Sequence, residues 1–550
     1  MAEKLFSLVL HSHIPYVLAH GSWPHGMDWL HEAAAETYMP LLDVLERLAG
    51  EGIPPRLTIS FTPVLMEQLK DPAFVAGFED YLKMKAQAAV LDRAHFATTG
   101  NAALEALTGL WEDRYRRLLE DFRDRLQGDI IDAFRSLQDR EQIEVLTSGA
   151  SHGYFPLLSS DDSVRHQVVQ GKHVYRRHFG RESRGFWLPE CGYRPGYVWK
   201  NPLEDGEPFA RAGVDEILDE EDLGYFFVDG HLLKGGEAKG VYIDRFPSLR
   251  LLWDKFRASY DPGIDKPHDA YAAYLAHPSH TPFFGRDAVS GSQVWSRHMG
   301  YPGDGAYLEF HKKHFPGGLR YWRITSSDAD LGLKEPYDPA AVGPCLEGHA
   351  AHFASVLERS LDGRDAGVVT ALYDTELFGH WWHEGPEWLY HVIKGLAAGP
   401  VEPSTAGGAL DRLPPSQVIA LPEGSWGQGG FHWIWLNDDT AWIWKKIYRI
   451  ETAAAAFKER PDRLDRRVLR QFYREKFLLE SSDWPFLVST WAARDYAENR
   501  AAEHFERALT LAGWLERGRA LDPAEEALLG VFETEDRLFE EVVLPDGRAV

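Results

Sequence analysis

Short apolar runs that end in polar or ionisable residues are the feature that most constrains how this chain can fold. Six such runs are present, and in chain order they read LFSLVLHSH, RLTISFTP, IEVLTSGASH, RGFWLPE, YFFVDG and GVVTALYDTE. Helix-like stretches such as DDSVRHQVVQGKHVYRRHF lie between some of them. Buried strands that alternate with helices indicate an α/β fold with a largely parallel sheet. Where such a parallel sheet closes into a barrel, the reactive residues follow the carboxyl ends of the strands.

Two of these runs end in a carboxylate. WLPE ends at Glu190 and is followed at once by the turn CGYRPG, and ALYD ends at Asp374. We expect both side chains at the rim of a barrel, where two carboxyl groups can act together. Cys191 follows Glu190, so a nucleophilic thiol with a histidine base is an alternative. Because the chain has only 2 cysteines, a disulfide framework and a zinc site built on several thiolates are excluded.

Two long segments depart from the alternation of strands and helices. From about residue 72 to 140, apolar residues recur at helical spacing with charges between them, which predicts a helical insertion after the second strand. From about residue 439 to the end the pattern is helical again. We therefore expect a catalytic barrel over residues 1–405 and a helical C-terminal domain over 406–550 that contributes to the active-site cleft.

Two further segments are expected to be irregular. Residues 401–417 are rich in Gly, Pro and Ser, which is typical of a linker between domains. Residues 262–285, PGIDKPHDAYAAYLAHPSHTPFFG, are predicted to form a long loop that is a candidate lid.

Charge and hydropathy exclude several classes of partner. The chain carries 59 basic and 84 acidic side chains, a formal net charge of −25, which argues against nucleic acid and anionic membranes. The N-terminal apolar run is too short for a signal peptide, and no stretch approaches the roughly 18 apolar residues of a membrane span. We expect a cytoplasmic protein with a neutral or cationic ligand. The oligomeric state is left open.

His11 and His13 are two residues apart in a strand-like segment, so their side chains share a face. They suit a metal pair, hydrogen bonding to sugar hydroxyls, or a structural role at a strand end. Asp374 and Glu376 show the same spacing, and more histidines and tryptophans follow in FGHWWHEG. A core would not favour so many ionisable groups, because burying each unpaired one costs several kcal/mol.

Aromatic residues are concentrated near these groups. Eight of the 19 tryptophans lie between residues 381 and 444, and Trp426 stands in the glycine-rich EGSWGQGGFH. The segment FFGRDAVSGSQVWSRHMGYPGDG contains Arg286 and Trp295 among several glycines. Flat rings beside carboxylates suit sugars, whose C–H faces stack while their hydroxyls form hydrogen bonds. Two carboxyl groups in such a cleft support glycoside chemistry, in which one is kept protonated and the other acts as nucleophile or base.

Five motifs in order give the chain a specific resemblance. They are HSHIPYV, TSGASHGYFPLL, WLPECGYRPG, ALYDTELFGHWWHEG and WGQGGFHWIWLN. With them the chain resembles glycoside hydrolase family 57, and within it the α-1,4-glucan branching enzymes, over most of its length. The resemblance implies a (β/α)7 barrel with a helical insertion and a helical C-terminal domain. It also implies an α-glucan substrate and no metal or cofactor.

The resemblance implies a retaining double displacement, with Glu190 as the nucleophile and Asp374 as the general acid and base. It favours sugar binding over metal for the histidines and makes Cys191 a packing residue. The implied substrate-binding residues, of which the last two are further aromatic contacts, are His11, His13, His152, Arg286, Gly303, Trp426, Asp483, Trp295 and Trp435.

Other activities are compatible with parts of this pattern. An α-amylase-like hydrolase or a 4-α-glucanotransferase of the same family would use the same carboxylates, although PECGYRPG and DWPFL favour branching. A metal-dependent polysaccharide deacetylase would use His11, His13 and Asp374. A non-catalytic glucan-binding protein would keep the cleft without turnover.

Overall fold

The structure is a computed structural model that describes residues 3–234, 247–256, 267–295 and 300–550. The strands in these ranges are β1 (Glu3–Ser12), β2 (Thr58–Phe61), β3 (Glu144–Ser148), β4 (Phe186–Trp187), β5 (Tyr197–Trp199), β6 (Phe209–Arg211), β7 (Phe226–Val228), β8 (Ala273–Ala276), β9 (Pro282–Gly285), β10 (Ala366–Asp374), β11 (Glu402–Pro403) and β12 (Val418–Ile419). The α-helices are α1 (Met27–Ala33), α2 (Met39–Gly50), α3 (Pro63–Lys70), α4 (Pro72–Thr98), α5 (Ala102–Glu120), α6 (Ile130–Asp139), α7 (Asp161–Phe179), α8 (Val214–Glu220), α9 (His231–Lys234), α10 (Pro247–Phe256), α11 (Ala288–Trp295), α12 (Pro339–Ser360), α13 (Gly385–Leu396), α14 (Ala406–Arg412), α15 (Ala441–Lys458), α16 (Arg466–Glu480), α17 (Asp483–Thr490), α18 (Arg494–Arg517) and α19 (Pro523–Glu535).

One mixed sheet forms the centre of the α/β fold. Its strands follow the order β10-β1-β2-β3-β4-β7-β9-β8-β12, and β11 pairs with β1. The neighbours from β10 to β9 are all parallel, whereas β8 is antiparallel to β9. Strands β9 and β10 are the two ends of this parallel run. A hydrogen bond of 2.8 Å connects them, donated by Asp287 N, just after β9, to Thr370 O on β10. The α/β prediction is confirmed.

All six apolar runs read from the sequence are parallel strands of this sheet, namely β1, β2, β3, β4, β7 and β10. The seventh strand of the parallel run from β10 to β9, which is β9 itself, was missed. It lies with β8 in the segment 262–285, so the loop prediction is wrong for the residues of these two strands. Each is four residues long and flanked by Pro, His and Ser, so neither shows a recognisable strand period. The lid prediction for residues 262–266 lies outside the described residues.

The segment 401–417 is not an irregular linker. It contains β11, which pairs with β1, and helix α14. The first N–H groups of α14 are bound to the sheet: Ala406 N donates to Thr58 Oγ1 (2.8 Å) and Gly407 N donates to a carboxylate oxygen of Glu144 (2.9 Å). Small and polar residues here begin a helix that packs closely on the strands. The linker prediction is therefore wrong.

The helical patterns read from the sequence are present as helices. Residues 72–139 contain α4, α5 and α6, of which α4 and α5 pack along each other. The C-terminal part contains α15 to α19, with α16 and α18 in close contact. None of the helices in the described ranges combines the length and the apolar content needed to cross a membrane.

Strand register brings the sequence-predicted residues together at one edge of the sheet. His11, near the end of β1, is aligned with Asp374 on β10 and with Ser60 on β2. Because neighbouring parallel strands end at the same edge, these side chains share a cleft with Glu190, which follows β4.

Candidate active site

Glu190 is held in an uncommon backbone conformation. It lies in the short 3-10 turn Pro189–Cys191 with φ 60° and ψ 22°, a left-handed geometry that costs a residue other than glycine about 1 kcal/mol. Trp426 Nε1 donates to its Oε2 (2.8 Å), and Ser482 Oγ donates to its Oε1 (3.2 Å). The side chain is 16% exposed. A strained carboxylate that two donors hold in a cleft is typical of a functional position.

The electrostatic environment of Glu190 combines burial with opposing contacts. Burial raises the pKa of Glu190 to about 8; the hydrogen bonds from Trp426 and Ser482 lower it, and the negative charges of Asp374 and Asp483 raise it. A carboxyl group in a cleft whose pKa is shifted this far is a candidate for a functional site.

Asp374 has an ordinary backbone conformation, unlike Glu190. It ends β10 with φ −67° and ψ 134°, and its side chain is partly exposed. Its charge acts on Glu190 and also on Glu376, which lies two residues further along. The structure thus brings the two carboxylates picked from the sequence into electrostatic contact.

Four hydrogen bonds link Glu190 to the sheet. Ser482 Oγ, which contacts Glu190, lies 2.8 Å from His152 Nδ1. The Nε2 atoms of His152 and His11 are 2.9 Å apart, and His11 Nδ1 lies 2.7 Å from Ser60 Oγ. We refer to these residues, from Ser60 to Glu190, as the histidine relay.

When Glu190 is ionised, its charge fixes the direction of every hydrogen bond in the histidine relay. An ionised carboxylate can only accept, so Ser482 donates to Glu190 and must itself accept from His152 Nδ1–H. His152 Nε2 then accepts from His11 Nε2–H, and His11 Nδ1 accepts from Ser60. Burial lowers the pKa of both His11 and His152, so both rings are neutral, as this pattern requires. Every donor in the relay therefore points towards Glu190.

His13 and Asp483 form a second pair beside the relay. His13 Nε2 lies 2.8 Å from Asp483 Oδ2, and His13 Nδ1 lies 3.0 Å from Thr62 Oγ1. Burial alone would raise the pKa of Asp483, but the charge and hydrogen bond of His13 outweigh it and hold that pKa below its ordinary value. Asp483 is the first residue of α17, so the C-terminal part of the chain reaches into the site.

Ring geometry argues against a metal held by these histidines. His13, His152 and Asp483 each offer a ligand atom within 4.8 Å of the others. A metal ion lies close to the ring plane of each imidazole that binds it, at about 2 Å from the nitrogen. The rings of His13 and His152 are stacked, with centroids 4.0 Å apart and planes 20° apart, so one ion cannot lie in both planes. His11 has both ring nitrogens engaged in hydrogen bonds.

Aromatic rings and an ion pair surround the Trp426 indole. Its ring packs edge-on against Trp187 (centroids 5.2 Å apart) and Trp295 (6.3 Å). The Arg286 guanidinium lies 5.6 Å from its centroid and is ion-paired with Asp229, which follows β7. The predicted residues Arg286, Trp295 and Trp426 therefore meet next to Glu190.

Trp435 and Gly303 are described by contacts with other residues. Trp435 is fully buried and stacks on Tyr154 (4.3 Å). It also supports the glycine-rich loop, because a side chain at Gly427 would come within 2.7 Å of its ring. Gly303 ends the 3-10 turn Tyr301–Gly303 beyond α11. Cys191 is buried, and burial raises the pKa of its thiol, which disfavours a thiolate nucleophile.

Four residues of the site were missed by sequence reasoning: Ser60, Trp187, Asp229 and Ser482. Ser60, Trp187 and Asp229 stand in or just after predicted strands, where the rule that identified Glu190 could have found them. Ser482 precedes Asp483, but its contact with Glu190 spans 292 positions of the chain and leaves no local signal.

Two family models match the chain. The model of glycosyl hydrolase family 57 matches residues 7–422, and a model described as the C-terminal part of 1,4-alpha-glucan branching enzyme matches residues 443–545. The first match covers the strands of the sheet, Glu190 and Asp374. The second covers Ser482 and Asp483.

Several characterised proteins are similar over nearly the whole chain. A 1,4-alpha-glucan branching enzyme of Thermococcus kodakarensis is 40% identical over 547 residues, which are 98% of this chain and 78% of that protein. A crystal structure of the family 57 branching enzyme of that archaeon, in complex with glucose, has a TM-score of 0.86 and 38% identity, covering 97% of this chain and 95% of the other. The alpha-amylase AmyC of Thermotoga maritima has a TM-score of 0.79 and 29% identity, with 98% of both chains covered.

Proposed function

The chain belongs to glycosyl hydrolase family 57, and we propose that it is a 1,4-α-glucan branching enzyme, which cleaves α-1,4 links and transfers the released chain to a 6-hydroxyl group. The observation that carries the proposal is the origin of the residues around Glu190. Ser482 and Asp483 come from the segment that the branching-enzyme model matches, and they contact Glu190 and His13. The part of the chain typical of branching enzymes thus forms part of the environment of the proposed nucleophile.

In the first step, a carboxylate oxygen of Glu190 attacks the anomeric carbon of the donor glucan. The bond between this carbon and the 4-oxygen of the next sugar breaks as Asp374 gives its proton to that oxygen. The products are a glycosyl ester on Glu190 and a shortened glucan with a free 4-hydroxyl group.

In the second step, the ionised Asp374 removes the proton from a 6-hydroxyl group of the acceptor chain. The resulting oxygen attacks the anomeric carbon, an α-1,6 link forms, and Glu190 leaves as a carboxylate. Two inversions give net retention. Branching requires that the acceptor, rather than water, reaches the ester.

Donors aimed at Glu190 stabilise its ionised form, which the first step requires. Two interacting carboxyl groups titrate as a pair, and one proton shared between them settles on the group whose ionised form is less well stabilised. Trp426 and Ser482 both donate to Glu190, and the histidine relay points its donors in the same direction. For the productive state we propose the charge on Glu190 and the proton on Asp374, the distribution that the retaining mechanism requires.

Several of the remaining predicted residues are proposed to bind the sugar chain, and the others to support the site. Arg286, Trp295 and Trp426 line the cleft beside Glu190, and the His13–Asp483 pair offers polar groups for sugar hydroxyls. His11 and His152 act through the relay. Gly303 is kept as a proposed substrate contact, whereas Trp435, which is fully buried, is proposed to support the loop that carries Trp426. No metal or cofactor takes part in this mechanism.

The same proposal extends to architecture and location. The seven parallel strands, with the hydrogen bond from Asp287 to Thr370, support closure as a (β/α)7 barrel. We propose residues 72–140 as its helical insertion. Because α14 and β12 pack on the sheet, we move the start of the helical C-terminal domain from residue 406 to about residue 440. We also propose that the enzyme acts on α-glucan in the cytoplasm.

An α-amylase-like hydrolase is the second candidate function. The likeness to the alpha-amylase AmyC, at 29% identity over 98% of the chain, favours it. A hydrolase would use Glu190 and Asp374 in the same first step, with water resolving the ester.

A paired assay on amylose tests the proposal. It follows new reducing ends and, after enzymatic debranching, the number of α-1,6 branch points. Branch points with few net reducing ends are expected for transfer, because each cleavage is followed by a new link. Reducing ends without branch points would contradict branching and support hydrolysis. Glu190→Gln, which keeps the shape of the side chain, should abolish both signals.

A further inference from the structure

One face of α17 leads out of the candidate active site. Asp483, the first residue of this helix, contacts His13, and Phe486 and Leu487 are the other partly exposed residues of the helix. Positions i, i+3 and i+4 lie on the same helical face. Trp491 follows four residues after Leu487, just beyond the last turn. This partly exposed face thus begins in the cleft and ends at an indole.

Trp491 stands in a backbone position that favours glycine. It ends α17 in the left-handed conformation, with φ 61° and ψ 16°. Helices α7 and α18 end in the same conformation, and there the residues are Gly180 and Gly518. Glycine is favoured at such a position because a side chain strains the backbone. The backbone thus holds Trp491 in a strained, left-handed conformation, as it does Glu190.

The indole of Trp491 is exposed and yet held in place. Its side chain is 65% exposed, and the Arg494 guanidinium lies 4.7 Å from the ring centroid. Arg494 is itself fixed by ion pairs with Glu498 (2.8 Å) and Asp439 (3.4 Å). A flat ring whose orientation is fixed and whose surface is open is suited to stack against the C–H face of a sugar.

We propose that the face of α17 from Asp483 to Trp491 is a binding track for the α-1,4-glucan chain, with Trp491 as its outer stacking platform. The inference rests on the proposed function for the identity of the ligand. At 1.5 Å rise per residue, Trp491 lies about 12 Å from Asp483 along the helix, so only a chain of several glucosyl units reaches both. The track selects long glucans over short ones.

Binding in an inactive background tests the track without relying on turnover. In Glu190→Gln, the affinity for amylose and for maltose is measured with Trp491 intact and with Trp491→Gly. We expect Trp491→Gly to weaken amylose binding about tenfold, because one aromatic stacking contact is lost, and to leave maltose binding unchanged. Its Tm should be equal to or above that of the parent, since glycine suits the left-handed position.

Two further variants complete the test. Trp491→Phe keeps a ring and should retain most of the amylose affinity. Leu528→Ala, which truncates an apolar residue of α19 that is 41% exposed, should change nothing. Unchanged amylose binding in Trp491→Gly would overturn the track, and so would an equal loss for maltose and amylose or a loss accompanied by a lower Tm.

The outcomes separate the track from the branching activity. If the parent enzyme forms no α-1,6 links but Trp491→Gly still weakens amylose binding selectively, branching is wrong and the track stands. If Trp491→Gly forms branches of normal length at the normal rate with amylose well below its KM, the track is wrong and branching stands. With both correct, Trp491→Gly in the active enzyme raises the KM for amylose several-fold and leaves kcat nearly unchanged.

Discussion

The edge of the sheet and the C-terminal part of the chain contribute to the site in different ways. The sheet edge supplies the two carboxylates and the histidines, and strand register places His11 between Asp374 and Ser60. Residues after the sheet supply the groups that act on Glu190, namely the Trp426 indole and the Ser482 hydroxyl. The sheet therefore determines where the reacting groups are, whereas the later segments determine how charge is distributed between them.

The largest effects should come from the carboxylates themselves. Asp374→Ala should lower kcat by about 10²–10⁴-fold, the usual contribution of a general acid, and Glu190→Ala by at least as much. Product analysis with added azide distinguishes their roles. Glu190→Ala should form a β-glycosyl azide from an α-linked donor, because azide replaces the nucleophile in a single inversion. An α-glycosyl azide from this variant would contradict the nucleophile assignment.

Removing the Trp426 donor should have the next largest effect. Glu190 must be ionised to attack, so kcat/KM rises as pH increases through its pKa, which is about 8 in the free enzyme. Trp426→Phe removes a hydrogen bond that stabilises the ionised form, so this pKa rises further and the acid limb moves to higher pH. A hydrogen bond to a charged group contributes about 1.5–3 kcal/mol. We therefore expect kcat/KM to fall roughly 10- to 100-fold.

A pH profile of kcat/KM measures the effect of Trp426→Phe. Trp295→Phe is the matched control, because its indole N–H donates to Leu372 O and not to Glu190. It should leave the acid limb in place. An acid limb that stays fixed in Trp426→Phe would show that this indole acts by packing alone.

Substitutions of Ser482 and Ser60, which lie near opposite ends of the histidine relay, should move the acid limb in the same direction but by different amounts. Ser482→Ala removes a direct donor and should lower kcat/KM several-fold, with the acid limb moved to higher pH. Ser60→Ala should move it in the same direction by less, because His11 Nδ1 loses its donor and the alternative tautomer no longer points a proton towards His152. Profiles recorded from pH 5 to 10 test both variants. If the Ser60→Ala profile coincides with that of the wild type, only the direct contacts of Glu190 influence its pKa.

The smallest effect concerns stability at the sheet edge. Burial raises the pKa of Glu376 to about 8; a hydrogen bond from Tyr38 lowers it and the charge of Asp374 raises it. A carboxyl group with a raised folded-state pKa contributes stability that is fully present below about pH 4.5 and is lost as pH rises through about 8. Glu376→Gln should therefore raise the Tm by a few degrees at pH 8.5 and leave it nearly unchanged at pH 4.5.

Thermal unfolding at the two pH values checks this expectation. Glu540→Gln serves as the control, because the Glu540 side chain is 85% exposed. This substitution removes one negative charge but no buried carboxyl group. Equal changes in Tm at both pH values would assign the effect of Glu376→Gln to packing rather than to ionisation.

Local sequence was sufficient for six of the seven parallel strands, because each combines an apolar run with a polar residue at its end. It failed for β9, where four residues between Thr281 and Arg286 are too few to show a period. It also failed for residues 401–417, whose small residues looked like a linker and instead allow α14 to pack on the sheet. In both cases contacts with distant strands overrode the local composition.

The sequence by itself determined the positions of Glu190 and Asp374, because a carboxylate at the end of a buried strand needs only the local pattern to be seen. It also carried the motifs that give the family. Only the tertiary structure decided which groups surround these carboxylates: Ser482 reaches Glu190 across 292 positions, and His11 reaches His152 across 141. The charge of Glu190 depends on burial and on such distant donors. For that reason its protonation, the direction of the histidine relay and the partly exposed face of α17 come from the folded chain alone.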